Sequence, residues 1–298
     1  MIRFMRLKWL YFLISSLVII PGLVSLLLFG LKPSIDFTGG TLWELKFTKN
    51  IEPSRFDEIK NSVSEKGFEI SSIQSSGENT LILRMKPIAK DEAVSIKTIM
   101  AEKLEEMPTE VRFETVGPIL GQELIFKTLI AVLLGAVFIM GYVAYVFKDV
   151  KFGVCAILAM FHDSLVMLGV FSLLGKFMNV EVDTLYVTAL LTVLSFSVHD
   201  TVVVYDRIRE SQKRLMGVTL EDLANKAVTE TLSRSLNNSL TIIFMLLALL
   251  LLGGETIKWF VFALLIGTIS GTYSSTFTAV PLLVIWDKIS KKRGGENK

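Results

Sequence analysis

Four ionisable residues lie inside long apolar stretches of this 298-residue chain, where a charge is costly. His162 and Asp163 are adjacent in the middle of one stretch, Asp200 lies near the end of the next, and Arg234 begins the one after that. A charged side chain at the centre of a membrane helix costs at least about 2.5–3.5 kcal/mol on insertion scales, so it needs a partner or must lose its charge. These residues therefore indicate either proton transfer or polar contacts between helices.

The positions of Asp200 and Arg234 indicate that these two residues could interact. Their apolar stretches are consecutive and would run antiparallel, with both residues toward the same end, so a contact between them is geometrically plausible. Burial favours the neutral carboxyl group and a neighbouring guanidinium favours the carboxylate. A helix movement that makes and breaks this contact would therefore take up and release a proton. In the alternative interpretation, these residues, like His162 and Asp163, form static salt bridges or hydrogen bonds between helices.

Six apolar blocks must position these residues. Each can cross the roughly 30 Å hydrocarbon core, which takes about 20 helical residues, and helices satisfy their own backbone groups in lipid. The predicted spans are Trp9–Phe29, Thr128–Phe147, Phe152–Leu174, Thr184–Val204, Leu236–Leu252 and Trp259–Ile285. The first is too long for the core of a signal peptide and is expected to stay uncleaved. The last must tilt or end before Pro281.

Basic residues are concentrated on one side of the six predicted spans. They precede the first span, separate the second from the third and the fourth from the fifth, and follow the sixth. Short basic segments face the cytoplasm, so both termini are expected there. The predicted regions are the N-terminus with the first span (1–30), an extracytoplasmic domain (31–123), the other five spans (124–286) and a basic tail (287–298).

The segment after the first span has the patterning of a small globular domain. Its predicted order is β-α-β-β-α-β, a ferredoxin-like arrangement. The elements are Gly40–Phe47, Pro53–Lys66, Phe68–Ser75, Thr80–Lys86, Lys90–Met107 and Glu110–Val116, with a hairpin turn at Ser76–Asn79. The predicted fold class is thus a polytopic α-helical membrane protein with six transmembrane helices and one α+β ferredoxin-like extracytoplasmic domain.

Three further motifs have a structural and a functional interpretation. The first, just after span one, is the run Asp36, Phe37, Thr38, Gly39 and Gly40. Its glycines permit the backbone angles of a turn between membrane and domain. Asp206 and Arg207, after span four, either cap that helix at the membrane interface or fix its end where it moves. Gly267 and Gly271 form a GxxxG step that favours close packing against a helix of this chain or of another.

Several kinds of chemistry find no support in the sequence. With one Cys and two His, the chain offers no internal disulfide and no cluster of metal ligands. The sequence shows no pairing of a nucleophilic residue with a general base and no phosphate-binding loop, so neither enzymatic activity nor a cofactor is expected. The net charge of +2 gives no indication of nucleic-acid binding.

In the order of its motifs, nearly the whole chain resembles SecF subunits of the SecD/SecF family, within the resistance-nodulation-division superfamily. The resemblance rests on Asp36 to Gly40, His162–Asp163, the run from Asp200 to Glu210, Ser233-Arg234-Ser235, and Leu251-Leu252-Gly253-Gly254. His199 stands where some members have Asn, and Tyr205 where Phe is common.

The resemblance implies an accessory subunit of the Sec translocase in the bacterial inner membrane. Such subunits pair with SecD, assist the SecYEG channel with unfolded exported polypeptides, and use the proton motive force. By position, Asp200 and Arg234 match the family's proton-coupling residues, with Asp163 a weaker match and His162 a candidate relay partner. Two alternatives stay open from the residues alone: a small-molecule exporter of the resistance-nodulation-division type, or a scaffold subunit whose buried charges only hold a partner.

Overall fold

The computed structural model describes residues 3–76, 79–215 and 217–295, and it contains two compact units. One unit is formed by the chain up to Lys32 and from Ile130 onward, the other by Pro33–Leu129. In chain order the elements are α1 (Lys8–Phe29), α2 (Ile35–Thr38), β1 (Gly40–Lys46), α3 (Phe56–Ser64), β2 (Ile70–Ser76), β3 (Thr80–Met85), α4 (Lys90–Leu104), β4 (Thr109–Val116), α5 (Pro118–Phe147), α6 (Val150–Met178), α7 (Thr184–Arg214), α8 (Leu220–Leu252), α9 (Glu255–Ser274) and α10 (Val280–Gly295).

The Pro33–Leu129 unit contains a four-stranded antiparallel sheet in the order β2-β3-β1-β4. The central strand β1 pairs with β3 and β4, so that Trp43 lies opposite Leu83 and Phe113. Alternate residues of a strand point to the same face, which brings Trp43, Leu45 and Leu83 onto the side covered by α3 and α4. The order β1-α3-β2-β3-α4-β4 confirms the predicted ferredoxin-like arrangement. Two residues of the predicted turn, Gly77 and Glu78, lie outside the described residues.

Six helices of the described chain are long and apolar enough to cross a membrane. These spans are α1, α5, α6, α7, α8, and α9 together with α10, which confirms the predicted fold class. In the membrane unit, α6 packs on α1, α7 and α9, and α8 packs on α7 and α9. Apolar side chains around the buried Tyr205 form its main core.

Several helices extend well beyond the apolar blocks of the sequence. Helix α7 continues past Val204 to Arg214, and α8 begins at Leu220 instead of Leu236. Hydropathy marks only the part of a helix that suits lipid, and polar helical turns carry on outside it. The predicted number of spans is therefore confirmed, and the helices that contain them are longer than the apolar blocks.

The sixth span does not end before Pro281, in contrast to one of the two predicted outcomes. A π-helical segment, Ser275–Ala279, joins α9 to α10 directly before Pro281. Proline has no N–H and its ring crowds the carbonyl of the preceding turn, so a locally wider turn lets the helix continue. The Tyr205 hydroxyl donates to the Ala279 carbonyl at 3.0 Å and supports this irregular turn from α7.

Candidate functional site

Asp163 is fully buried and is surrounded by hydrogen-bond donors from three helices. Ser197 of α7 donates to its carboxylate at 2.5 Å, and Ser270 and Ser274 of α9 donate at 2.6 Å each. His162 Nδ1 lies 3.0 Å from the Asp163 Oδ1 atom. Both carboxyl oxygens of Asp163 therefore have hydrogen-bond partners within the protein.

His162 extends the network around Asp163 to the first helix. Its Nε2 atom lies 3.0 Å from the Ser15 hydroxyl of α1. The order Ser15, His162, Asp163 is that of a hydrolytic triad, but Ser15 and His162 are only 7% and 8% exposed. A substrate could not reach a nucleophile there, so the arrangement serves helix contact or proton movement. Four helices, α1, α6, α7 and α9, meet in this network.

Asp200 has a sparser environment than Asp163. It is 4% exposed, and Ser235 of α8 donates a 2.5 Å hydrogen bond to its Oδ2 atom. The hydrogen bonds found among the described residues give its carboxylate no other side-chain donor. Among the described residues, Asp200 is therefore buried with fewer side-chain hydrogen-bond donors than Asp163.

The contact between Asp200 and Arg234 that the sequence makes geometrically plausible is not formed. No ion pair within the described parts of the chain joins the two residues, and the Arg234 side chain is exposed. Successive residues of an α-helix point about 100° apart, so the helix rotation that turns Ser235 toward Asp200 turns Arg234 away. Arg234 instead lines an open cavity of about 440 Å³ together with Asp206 and Arg207.

Arg207 joins α7 to α8 at the edge of this cavity. Its guanidinium contacts Glu230 of α8 and Glu210 of its own helix, both at 2.5 Å. Asp206, beside it, is exposed. Both residues lie within α7, which continues to Arg214, so they do not cap that helix. The contact of Arg207 with Glu230 instead connects α7 to the helix that carries Arg234.

The run from Asp36 to Gly40 forms a capped turn. Ser34 accepts a hydrogen bond from the Asp36 N–H at 3.2 Å and begins the short helix α2, which holds Asp36, Phe37 and Thr38. Gly39 and Gly40 follow with φ of 72° and 129°, values that side-chain-bearing residues rarely adopt. A Cβ on Gly40 would also approach the Met85 carbonyl to 2.9 Å. Both glycines are thus required by the turn into β1.

Gly267 and Gly271 face another helix of this same chain. A Cβ atom on Gly267 would collide with the Val193 side chain, and one on Gly271 would lie 3.2 Å from the Ser197 Cβ atom. On the same helix, Ser270 and Ser274 donate to Asp163 of α6, while Gly271 lies against Ser197 of α7, the third serine donor to Asp163. The GxxxG step therefore contributes to the Asp163 network as well as to packing.

The serines that donate hydrogen bonds to Asp163 and Asp200 could not be identified from the sequence. Serine is common in membrane helices and costs little there, so Ser15, Ser235 and Ser270 do not stand out as an ionisable residue does. The available signal was spacing, because Ser270 and Ser274 are four residues apart and share a helix face with the GxxxG step.

Taken together, the six spans, the ferredoxin-like domain and the Asp163 carboxyl group, which receives hydrogen bonds from α7 and α9, define a multi-pass membrane protein with a polar core. A family model described as protein export membrane protein SecD/SecF, C-terminal, matches residues 96–289, and a SecD/SecF GG motif matches residues 24–51. The chain belongs to the SecD/SecF family.

Individual relatives agree with this assignment. The chain is 43% identical to protein translocase subunit SecF of Thermobaculum terrenum, across 96% of this chain and 94% of the relative. It is 37% identical to protein translocase subunit SecDF of Thermus thermophilus, across 86% of this chain but only 35% of that relative. The crystal structure of Thermus thermophilus SecDF, a translocon-associated membrane protein, superposes with a TM-score of 0.84 at 34% identity, covering 96% of this chain and 39% of that one. The predicted family is confirmed, and its members are transport proteins, not enzymes.

Proposed function

We propose that this chain is an accessory subunit of the Sec protein-export translocase that acts with SecD and uses the proton motive force. It would assist the SecYEG channel as unfolded polypeptides cross the bacterial inner membrane. Both termini would lie in the cytoplasm, and the ferredoxin-like domain, predicted over 31–123, would lie outside it. Membership of the SecD/SecF family and the names of the relatives support the export role.

Association with SecD is supported by the fused relative. The Thermus thermophilus SecDF chain includes a region that matches this chain and is nearly three times as long as that region, since only 35% of it is covered. A separate SecF-like chain would need the remainder as a partner subunit.

The contrast between Asp200 and Asp163 carries the proton-coupling proposal. Asp163 has three serine donors and His162, whereas Asp200 has Ser235. A buried carboxyl with little stabilisation of its charge binds and releases a proton more readily when its surroundings change. Asp200 would thus be the group that exchanges the proton, and Arg234, next to the Ser235 donor on α8, would compete for the carboxylate when α8 moves relative to α7. Asp163 and His162 would connect this step to the neighbouring helices.

Replacing Asp200 with Asn tests the proposal directly. Asn keeps the shape and a hydrogen bond but cannot release a proton, so export of a secreted reporter should slow and no longer respond to dissipation of the proton gradient. Asp91→Asn, the same change at an exposed position of α4, should leave export unchanged. Wild-type export by the Asp200→Asn strain, at normal levels of the protein, would refute the coupling role.

The two alternatives give different outcomes. An exporter of small molecules would change drug accumulation in a deletion strain without any secretion defect. A scaffold subunit would lose co-purification with SecD on Asp200→Asn substitution and show no proton-dependent defect of its own.

A further inference from the structure

Among the described residues, five contacts between α1 and α6, with the residues just beyond their ends, have the same separation in sequence. In each pair the second residue lies 147 positions after the first. The pairs, here called the α1–α6 seam, are Ser15–His162, Gly22–Gly169, Ser25–Ser172, Phe29–Lys176 and Lys32–Asn179. A constant separation means that the two helices run parallel and in register from Ser15 to Phe29, about 21 Å of helix.

The α1–α6 seam has the spacing of a coiled coil. Its residues on the α1 side are separated by seven, three, four and three positions, and those on the α6 side by the same intervals. Intervals of three and four, with seven as one complete repeat, mark the shared face of two helices that wrap around each other. Equivalent positions face each other in a parallel pair of this kind, which explains the constant separation.

The two backbones touch at the middle of the α1–α6 seam. A Cβ atom on Gly22 would lie 2.8 Å from the Gly169 Cα atom, and one on Gly169 would lie 2.6 Å from the Gly22 Cα atom. Both distances are well below carbon–carbon contact, so only glycine fits at either position. One turn further along, the Ser25 and Ser172 hydroxyl oxygens are 2.8 Å apart, and Ser172 donates to the Gly30 carbonyl at 2.8 Å.

The pairing continues past the end of α1. The Lys176 ammonium lies 4.8 Å from the centre of the Phe29 ring, a cation–π contact. Lys32 donates to the Asn179 side chain at 3.4 Å, and its carbonyl accepts from the Val182 N–H at 2.8 Å. Lys32 is the last residue of the membrane unit before the ferredoxin-like unit begins. The seam therefore extends to the point where the chain enters that domain.

Sliding one helix along the other by a single turn would break the α1–α6 seam. In one direction, three leucines would lie opposite Ser15, Gly22 and Ser25. These leucines are Leu158, Leu165 and Leu168. In the other direction, Leu173 would lie opposite Gly22. A leucine does not fit where two backbones touch, so the helices would separate and leave the seam hydroxyls without partners in lipid. The register of the pair is therefore strongly defined.

Helix α6 carries the Asp163 network on one side and the α1–α6 seam on another. Asp163 accepts hydrogen bonds from α7 and α9, whereas the preceding residue, His162, belongs to both groups. His162 Nδ1 lies 3.0 Å from Asp163 and its Nε2 lies 3.0 Å from Ser15 of α1. A displacement of α6 that follows a change at Asp163 therefore acts on α1 through every pair of the seam.

We propose that α1 and α6 move as one rigid body during export, an inference that rests on the proposed function. The pair would carry a displacement at the His162–Asp163 network along the seam to Lys32, and so to the start of the ferredoxin-like domain. Movement within the membrane unit would occur where this pair contacts its neighbours, and not between α1 and α6.

A reversible disulfide bond between Ser25→Cys and Ser172→Cys tests the rigid pair. The two hydroxyl oxygens are 2.8 Å apart, so sulfur atoms there need little movement to reach the S–S length of about 2.05 Å. Cys155, the one native cysteine, is replaced with Ala. Oxidation in membranes should form the bond, seen as loss of labelling by a maleimide-linked polymer, and export of a secreted reporter should be unchanged.

Loss of export on oxidation, recovered with a reductant, would overturn the proposal, because it would show that α1 and α6 must separate or slide. Failure of the bond to form would overturn the register. The single-cysteine variants, treated in the same way, measure the effect of the oxidant alone. Normal export in a strain without this chain would instead refute the proposed function, and the cross-link would still decide the register.

Leu168→Cys in place of Ser172→Cys is the matched control for sliding. Residue 168 lies four positions, about 6 Å, back along α6, so a bond with Ser25→Cys requires a slip of one turn. The control pair should stay reduced while the reporter is exported. Its cross-linking during export would overturn the fixed register.

Widening the seam tests whether the rigid pairing is needed. Gly22→Ala pushes the two backbones apart, so it should lower the yield of the disulfide bond and slow export at equal amounts of protein in the membrane. Gly135→Ala in α5, where a Cβ atom would meet no described atom within 4 Å, should change neither. Normal export by the Gly22→Ala variant would overturn the role of the pair.

Discussion

Two aspartates in neighbouring helices of this protein are both buried, yet their hydrogen-bond partners differ. Asp163 accepts hydrogen bonds from serines of α7 and α9 and contacts His162. Asp200 accepts a hydrogen bond from Ser235 of α8. At the scale of single residues, this difference in donors is the basis for proposing that Asp200, and not Asp163, exchanges the proton.

This difference predicts that Asp163→Asn lowers the stability of the protein more than Asp200→Asn, whereas Asp200→Asn has the larger effect on export. Asp163→Asn places an amide N–H₂ among serine donors, and the mismatch should destabilise the protein by about 1–3 kcal/mol. Asp200→Asn disturbs one hydrogen bond and should cost about 0.5–1.5 kcal/mol, although it is the variant expected to lose proton-driven export. Thermal unfolding in detergent, with Asp91→Asn as the reference, measures the stability order. Equal losses of melting temperature in the two variants would contradict the distinction.

The sequence predicts which residues are buried charges but not how they are paired. Apolar flanks alone place Asp163, Asp200 and Arg234 in or near the membrane. Pairing depends on the rotation of each helix about its axis, and neighbouring residues of a helix point in directions about 100° apart. The sequence therefore indicated that α8 meets Asp200 near Arg234, while the residue that makes the contact is Ser235.

At the scale of elements, the close contact of α9 with α7 holds the polar core together. Gly267 lies against Val193 and Gly271 against Ser197, and the neighbouring Ser270 on α9 donates to Asp163 of α6. The spacing of Gly267 and Gly271 predicts a close helix contact of the GxxxG type. Which helix packs against these glycines depends on the packing of the whole bundle. The π-helical segment after Ser274 could likewise not be predicted from the sequence, although Pro281 marked the position of an irregularity.

Replacing Gly267 with Ala tests this helix contact. The added methyl group meets Val193, and such overpacking should destabilise the protein by about 1–3 kcal/mol. Gly135→Ala in α5, where a Cβ meets no atom within 4 Å, should be neutral or slightly stabilising because alanine favours helix. Val193→Ala in the Gly267→Ala background should restore part of the loss. A stable Gly267→Ala protein would show that α7 and α9 can separate at little cost.

At the scale of the whole molecule, the distribution of charge determines how the chain is oriented. Hydropathy and basic residues together were sufficient to predict six spans and one domain after the first, because both patterns are set by the bilayer and not by detailed packing. The structure supports the number of spans. Orientation is a separate property, since a helical bundle can be inserted either way round without changing its internal contacts.

Fusions to alkaline phosphatase, which is active only outside the cytoplasm, test the orientation. Fusions within the domain at Lys60, or in the loop at Glu181, should be active. Fusions after Lys213, or after Lys291, should be inactive, because basic segments resist translocation. If charge sets the orientation, replacing Arg3, Arg6 and Lys8 with Gln and adding lysines near Glu181 should raise the phosphatase activity of the fusion after Lys291. Activity at Lys291 in the unaltered chain would reverse the topology and place the ferredoxin-like domain in the cytoplasm, where it could not meet a polypeptide after its passage through the membrane.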